Sequence, residues 1–411
     1  MKLKNLALLL AALCITSACH LQNAGSAKLE PRRTVKESKT KFVADAMKPY
    51  LDSGSLPGAI SILCRGDLQE TACLGWADVD RKIPMSLDRT FMQCSQTKGF
   101  CGVTIAILVE EGKITLDDPV AKYLPEFKNL KIIGKDAKGK QTLTPAKNVL
   151  TIRMVMNHTG GFPFEIPTKS KKGWPALSLR DTAREAASRP ILFEPGTGMR
   201  YSNTGIDIGA AVIEVVTGKP WDVFLKERVL DPLGMKDSTF NPTDEQLSRA
   251  ISLYQLGKGK KPQYQKATRW MPLPHNGPSV HPSAGAGLWT TAADQLKFYR
   301  MLMNLGVGDN GVRILKEETV KNLLATSTRP PKLGNYSLGL SANFKAGTFG
   351  HGGAWGTNCT INWRKKQLLL WVVQQRGQPR PWMKDRSKAA EKFFAAKFDD
   401  SETRAYTGRM K

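Results

Sequence analysis

Apolar and polar positions along the chain predict strands near both ends and helices between them. Near the N-terminus, two short apolar runs flank a polar turn, "GAISILCRG" and "TACLGWADV", and predict a two-stranded hairpin. From Thr90 onward apolar residues recur every three or four positions until Glu110-Glu111-Gly112, which predicts a buried helix. Helical patterns then dominate to about residue 280.

The C-terminal part returns to strand patterns. Four runs predict strands and one predicts a final helix: "YSLGLSANF", "TFGHGG", "NCTINWR" and "QLLLWVVQQ", then "DRSKAAEKFFAAKF". The expected fold class is therefore α/β (α+β), with an antiparallel sheet built from both chain ends and a helical insertion. We expect one domain over residues 42–395, followed by a polar tail over 396–411.

The first twenty residues, "MKLKNLALLLAALCITSACH", have the layout of a bacterial export signal. We expect a signal peptide over residues 1–18 and a polar tether over 19–41. Ser17-Ala18-Cys19 also resembles a lipoprotein box, so either Cys19 carries a lipid and anchors the protein to the membrane, or cleavage after Ala18 releases a soluble protein. The expected location is periplasmic or extracellular.

Composition adds one anomaly. The 411 residues are 41% apolar, which allows a sizeable core, but they carry a formal net charge of +25. Export makes nucleic acid an unlikely partner, so association with anionic envelope polymers is the better expectation. Three lysine-rich stretches are interpreted as solvated loops, at residues 134–141, 168–174 and 256–266.

Cys14 and Cys19 belong to the signal region and its cleavage site, which leaves five cysteines, and an odd number cannot all pair. Cys64 and Cys73 flank a turn and could face each other across the hairpin. Cys94 and Cys101 would lie roughly 10 Å apart on one helix, too far for a disulfide. Free buried thiols are expected for most of them.

A serine and a lysine three residues apart, Ser95 and Lys98, stand inside the apolar helical segment. The same spacing occurs at Ser38 and Lys41 in the polar tether, so the spacing alone is weak evidence. Burying a charged lysine costs several kcal/mol, which demands a reason. On a helix the two side chains share a face, and burial lowers the pKa of a lysine, which would leave a neutral amine able to activate the serine.

Two further segments carry candidate chemistry. Tyr201 and Asn203 form the only Tyr-x-Asn in the chain, on a loop before a helix, where the phenol could pass protons and the amide could orient a substrate carbonyl. His351-Gly352-Gly353 lies in a strand-like run whose glycines permit close approach of a ligand.

The sequence lacks the motifs that are typical of other hydrolases and of zinc enzymes. The chain has no Gly-x-Ser-x-Gly elbow, no His-Glu-x-x-His and no Cys-x-x-Cys pair. With five histidines and no phosphate-cradling glycine loop, neither a metal centre nor a cofactor is expected.

Together these segments resemble the serine β-lactamase-related hydrolases, the group of class C β-lactamases and penicillin-binding proteins that includes esterases and D-amino peptidases. The resemblance covers about residues 42–395, and its segments follow the family's order: "FMQCSQTKGFCGVTIAILVEEGKITLDDPVAKYLPEF", "LTIRMVMNHTGGF", "PGTGMRYSNTGIDIGAAVIEVVTG" and "SAGAGLWTTAADQLKFYRML". It implies the β-lactamase/transpeptidase-like fold.

The resemblance also implies a mechanism. Ser95 would form an acyl-enzyme, Lys98 and Tyr201 would share the proton transfers, and the Ser95 and Ala354 backbone N–H groups would form the oxyanion hole. Which of Lys98 and Tyr201 is the base stays open.

Asn203 and the His351-Gly352-Gly353 run would bind substrate. His351 stands where many β-lactamases carry the lysine of Lys-Thr-Gly, and Gly160 stands where serine is usual. For His158, in the segment containing Gly160, a structural role is expected.

The favoured function is an exported serine hydrolase that acts on a small ester, amide or peptide. A D-Ala-D-Ala carboxypeptidase or β-lactamase is one alternative. A penicillin or peptidoglycan sensor that is acylated without turnover is another, and a basic adhesion module is a third.

Overall fold

The computed structural model describes residues 35–166, 177–256, 264–266, 281–377 and 380–405. The predicted signal peptide, Cys19, most of the predicted tether and the 168–174 stretch lie outside these residues.

The strands are β1 Lys36–Ser38, β2 Gly58–Arg65, β3 Leu68–Asp78, β4 Ile83–Pro84, β5 Thr90–Met92, β6 Lys131–Lys135, β7 Gln141–Pro145, β8 Tyr254–Leu256, β9 Tyr264–Lys266, β10 Trp289–Thr291, β11 Ser341–Asn343, β12 Thr348–Gly352, β13 Asn358–Asn362, β14 Gln367–Val372, β15 Gln375–Arg376 and β16 Thr403–Ala405.

The α-helices are α1 Phe42–Asp52, α2 Thr97–Glu110, α3 Ile152–Met156, α4 Leu179–Ala187, α5 Asn203–Thr217, α6 Trp221–Leu225, α7 Asp244–Ser248, α8 Ala292–Met303, α9 Glu317–Thr319 and α10 Met383–Ala395. A 3₁₀ turn, Cys94–Gln96, precedes α2.

The main sheet joins the two ends of the chain. Its strand order is β11-β12-β13-β14-β2-β3-β1-β16, with β4 beside β3. Neighbouring strands run antiparallel except β1 and β3. The helical region is inserted between β4 and β11, so the predicted fold class is confirmed.

Both faces of the sheet are buried, which explains the unbroken apolar run of β2. On β2, Ile60 and Ile62 face the large core that contains α2, α5 and α8, whereas Ala59 and Leu63 face a smaller core against α1 and α10. The predicted N-terminal hairpin and the predicted final helix are thus both present, and they pack on each other through the smaller core.

Several boundaries differ from the predictions. The expected tether extends too far, because Lys36–Ser38 is a strand, and the expected C-terminal tail contributes β16. The segment starting at Thr90 is not yet helical, because Thr90–Met92 pairs with Trp289–Thr291. Residues 134–141, interpreted as a loop, are the end of the β6–β7 hairpin.

The five cysteines among the described residues are all free thiols. Cys64 and Cys73 do not face each other, because the hairpin register places Gln69 opposite Cys64 and Ile60 opposite Cys73. Four of the five are buried and Cys73 is half-buried, as expected for thiols that act as small core residues.

Within the described ranges, no helix has the length and apolar character that crossing a bilayer requires.

Candidate active site

Ser95 lies at a tight junction between β5 and α2. The predicted helix starts later than Ser95, at Thr97, and the serine sits in the 3₁₀ turn before it. Cys94 has a φ of 52°, in the left-handed region that non-glycine residues rarely occupy and that is often found at functional sites. This turn still brings the Ser95 Oγ within 3.3 Å of the Lys98 Nζ.

Lys98 is completely buried, with no exposed surface, and its amine has three oxygen neighbours. Besides Ser95, the Nζ donates to the Asn203 Oδ1 at 2.6 Å and to the Gly285 carbonyl at 2.6 Å. Burial lowers the pKa of Lys98 to about 7, against the opposing effect of the Asp207 carboxylate. A substantial fraction of the Lys98 amines is therefore neutral near pH 7.

These three contacts determine where the two N–H groups and the lone pair of the neutral Lys98 amine point. A neutral lysine has two N–H groups and one lone pair. The Gly285 carbonyl and the Asn203 Oδ1 can only accept, so they take both N–H groups. The Asn203 orientation is supported independently, because its Nδ2 donates to the Glu165 Oε1 at 3.2 Å. The lone pair is left facing the Ser95 hydroxyl.

Tyr201 covers the other side of this pair. Its ring centroid lies 4.7 Å from the Lys98 Nζ, and its hydroxyl is hydrogen-bonded to Ser95. Burial raises the pKa of Tyr201 to about 12, with the Ser95 hydrogen bond acting in the opposite direction. Tyr201 is therefore protonated at neutral pH and can relay a proton but is not itself a ready base.

Local sequence explains where Tyr201 and Asn203 stand. Ser202 caps helix α5 by accepting a hydrogen bond from the Gly205 N–H at 3.0 Å. The cap leaves Tyr201 on the extended approach to the helix and makes Asn203 its first residue. Tyr201 thus lies on the loop before the helix, as predicted, whereas Asn203, predicted on the same loop, belongs to the helix.

His351 lies at the end of β12, beside Tyr201. Its Nδ1 donates to the Gly352 carbonyl at 2.6 Å, so Nε2 is the acceptor nitrogen of the neutral ring. Nε2 accepts from the Tyr336 hydroxyl at 3.0 Å and lies 3.5 Å from the Tyr201 hydroxyl. Burial, with the Lys98 charge, lowers the pKa of His351 to about 4, so the ring is neutral at pH 7.

His158 fills the space behind these groups. Its ring centroid lies 4.5 Å from that of Tyr201 and 4.6 Å from that of Tyr336, and its Nδ1 accepts from the Ser202 N–H at 3.3 Å. Burial holds the pKa of His158 well below its usual range. These contacts agree with the structural role expected for His158.

The two glycines after His351 serve different purposes. A Cβ at Gly353 would lie 2.6 Å from the Gln93 carbonyl, so only glycine allows this strand end to approach the segment before Ser95. This approach brings the backbone amides of Trp355 and Ala354 to the thiol of Cys94, the residue that precedes Ser95. A Cβ at Gly352 would meet nothing closer than 3.6 Å, so the space beside Gly352 is open.

Behind Lys98, the Gly285 carbonyl is held by a buried carboxylate. The Asp207 Oδ1 accepts from the Gly285 N–H at 3.0 Å and from the Ser283 hydroxyl at 3.2 Å. Its Oδ2 lies 3.5 Å from the His281 Nε2. Asp207 is thus a positioning residue for the loop that binds Lys98. Sequence reasoning missed it, together with Gly285, which acts through its backbone, and Tyr336.

The substitution Asp207→Asn tests whether Asp207 positions the Gly285 loop and influences the pKa of Lys98. The substitution removes a negative charge that favours protonated Lys98, so the acid limb of the kcat/KM profile should move to lower pH. Because the Gly285 loop is also held less firmly, we expect kcat to fall about tenfold to a hundredfold. The matched control is Asp294→Asn, an equally buried aspartate that binds the Asp237 amide and Ser238 away from Lys98. An unmoved acid limb in Asp207→Asn would contradict the electrostatic role.

Comparison with known proteins assigns the family. The sequence profile described as Beta-lactamase matches residues 43–392, which is most of the chain. The chain belongs to the beta-lactamase family. Within the matched residues, this chain carries Ser95 and Lys98 three positions apart, and its main sheet is built from both chain ends.

Curated proteins that are similar to this chain include an esterase. Protein Rv1367c of Mycobacterium tuberculosis is 29% identical over 283 residues, 67% of this chain and 69% of that protein. Esterase EstB of Burkholderia gladioli is 29% identical over 266 residues, 59% of this chain and 64% of that protein.

Solved structures share the fold. EstCE1, a hydrolase with promiscuous acyltransferase activity, superposes with a TM-score of 0.67 at 21% identity, covering 85% of this chain and 97% of that one. Unliganded simvastatin synthase LovD of Aspergillus terreus gives 0.72 at 18% identity, covering 86% and 98%. FmtA of Staphylococcus aureus gives 0.64 at 18% identity, covering 89% and 92%.

The described residues contain no cluster of His, Cys, Asp and Glu side chains suited to a metal ion.

Proposed function

We propose that the protein is an exported serine hydrolase that cleaves small neutral esters through an acyl-enzyme on Ser95. The observation that carries the proposal is the Lys98 amine, whose two N–H groups bind the Asn203 and Gly285 oxygens and whose lone pair faces Ser95. The esterase and acyltransferase relatives support the same class of chemistry.

This arrangement favours Lys98 over Tyr201 as the base for acylation. The Ser95 proton passes to the Lys98 lone pair while Oγ bonds to the ester carbonyl carbon. The Ser95 and Ala354 N–H groups receive the oxyanion. As the carbonyl reforms, the C–O bond to the alcohol breaks, and the alcohol takes the proton held by Lys98, relayed by Tyr201. Water repeats the sequence and releases the acid.

The substrate class follows from charge and shape. Neutral His351 stands where a lysine would bind a substrate carboxylate, which disfavours β-lactams and D-Ala-D-Ala peptides. Its Nε2 accepts hydrogen bonds, and Phe164, 44% exposed, stacks on Tyr201 with ring centroids 6.0 Å apart. This combination suits an ester with an apolar acyl or alcohol group.

A stopped-flow trace of p-nitrophenyl butyrate cleavage tests the proposal. We expect a burst of p-nitrophenolate close to one equivalent of enzyme, followed by steady turnover, if deacylation limits the rate. A burst without turnover would indicate that the protein is a sensor that is acylated once, and not a hydrolase. Absence of any Ser95-dependent release from neutral esters would overturn the proposal.

The pH dependence follows from the pKa of Lys98. The reactive form is the neutral amine, so kcat/KM should fall about tenfold per pH unit below a pKa of about 7 and level off above it. Tyr201, with a pKa of about 12, should add no descending limb in the range where the protein is assayed. Initial rates with a neutral ester from acidic to mildly alkaline pH measure this, and a flat profile across pH 7 would contradict Lys98 as the base.

A further inference from the structure

A basic hairpin, residues 131–145, projects from the helical region and has no part in the catalytic chemistry. Its two strands pair in antiparallel register, with Ile133 opposite Leu143. Ile132 packs against the large core, so alternation along β6 turns Ile133 to the outer face. Leu143, beside it, is 49% exposed.

A third segment extends this outer face. Ile191 pairs in parallel with Ile132, through hydrogen bonds from the Ile133 N–H to the Ile191 carbonyl at 2.9 Å and from the Ile191 N–H to the Lys131 carbonyl at 2.8 Å. Ile191 is fully buried, and the next residue, Leu192, is 41% exposed. Leu143, Ile133 and Leu192 therefore form an apolar row across three adjacent segments on the outer side.

Lysines surround this row. Lys131 and Lys135 share the face of Ile133 on β6, and Lys138 and Lys140 lie at the hairpin tip. All four are exposed, and in the part of the chain that the structure describes none of them forms an ion pair with a carboxylate. The one acidic residue of the tip, Asp136, is engaged by the backbone N–H groups of Lys138 and Lys140.

Protection of a sheet edge does not account for this pattern. Lysines that block edge pairing belong on the outermost strand, but here Lys131 and Lys135 are on β6, which lies between β7 and Ile191. The edge strand β7 carries no lysine and exposes Leu143 instead.

We propose that the outer face of the basic hairpin docks on the surface of an anionic lipid bilayer. Lysines attract a negatively charged headgroup layer, and exposed aliphatic side chains enter the boundary between headgroups and acyl chains. A soluble polyanion would use the lysines but would leave the apolar row in water, so the bilayer is the partner that fits both features. The proposal stands independently of the catalytic assignment.

Vesicle co-sedimentation tests the docking. The protein is used from His20 onward, so that no lipid on Cys19 contributes, and the described fold, which begins at residue 35, is whole. We expect binding to vesicles of phosphatidylcholine and phosphatidylglycerol in equal parts, weakened by salt, and little binding to phosphatidylcholine alone. Equal binding to both vesicles would overturn the proposal.

Substitutions locate the surface. Lys131→Gln with Lys135→Gln should weaken binding about fivefold per lysine, and Leu143→Ser about tenfold. The matched control is Lys365→Gln with Lys366→Gln, which removes the same charge from an exposed turn between β13 and β14 and should change binding little. An unchanged thermal unfolding midpoint in every variant shows that the fold is intact. An equal loss of vesicle binding in the control, or unchanged vesicle binding in Leu143→Ser, would show that binding depends only on net charge. Either result would overturn docking by this face.

Discussion

Replacing Ser95 with alanine is expected to lower kcat for p-nitrophenyl butyrate by about 10⁴-fold or more. Ser95 supplies the oxygen that becomes acylated, so the acyl-enzyme cannot form without it. The Oγ contacts the Lys98 amine and the Tyr201 phenol, so its loss removes the point at which both proton-transfer groups meet. Single-turnover and steady-state rates at equal protein concentration measure the loss.

The neighbouring cysteine provides the control for Ser95→Ala. Cys94 is buried, and burial raises the pKa of its thiol to about 12, so it is not a competent nucleophile at neutral pH. Cys94→Ser should therefore keep the Ser95-dependent burst. Substantial residual turnover in Ser95→Ala that disappears in the double variant with Cys94→Ser would contradict the assignment of Ser95.

Replacing Lys98 with methionine or arginine is expected to lower kcat by about a thousandfold in each case. Methionine keeps most of the length of the side chain but carries no basic group. Arginine keeps a positive charge, but a guanidinium is not deprotonated at any pH at which the protein is folded. Equal losses in both variants would identify the neutral amine, rather than a nearby charge, as the feature that activates Ser95.

Folding must be measured beside activity for these variants. Methionine leaves the Asn203 Oδ1 and the Gly285 carbonyl without the Lys98 donor, which costs about 1–3 kcal/mol for each buried acceptor left unpaired. Thermal unfolding of each variant separates this loss of stability from the loss of kcat. Near wild-type kcat in a folded Lys98→Arg would show that Lys98 acts as a fixed charge and not as a base.

The centre of the site could be predicted because burial of a charged residue conflicts with its surroundings. Lys98 stands in a segment of apolar residues, and that conflict is visible in the sequence. The same argument applies to Asp207, which lies in helix α5 among buried apolar neighbours and is 3% exposed. Asp207 was missed because it belongs to no short spacing pattern and binds the Gly285 N–H, a backbone group.

Other features depend on contacts that no local pattern records. The Gly285 carbonyl acts through its position in a loop, and Tyr336 contacts His351 from a segment without a distinctive motif. The same limit applies to boundaries. Lys36–Ser38 is too polar and too short to predict as a strand, and it forms one only because β3 and β16 offer backbone partners on either side. The β6–β7 hairpin was not predicted because its tip is rich in lysine and glycine, a composition that is typical of a loop.

Acylation of Ser95 is tested most directly by trapping the acyl-enzyme formed from p-nitrophenyl butyrate. The reaction is quenched with acid within the burst, and the butyryl group is then mapped by peptide mass spectrometry. We expect one butyryl group on the Ser95 hydroxyl, formed at a rate that falls below pH 7 as Lys98 becomes protonated. A butyryl group on Cys94 or Tyr201, or ester cleavage at full rate without an adduct on Ser95, would contradict this expectation.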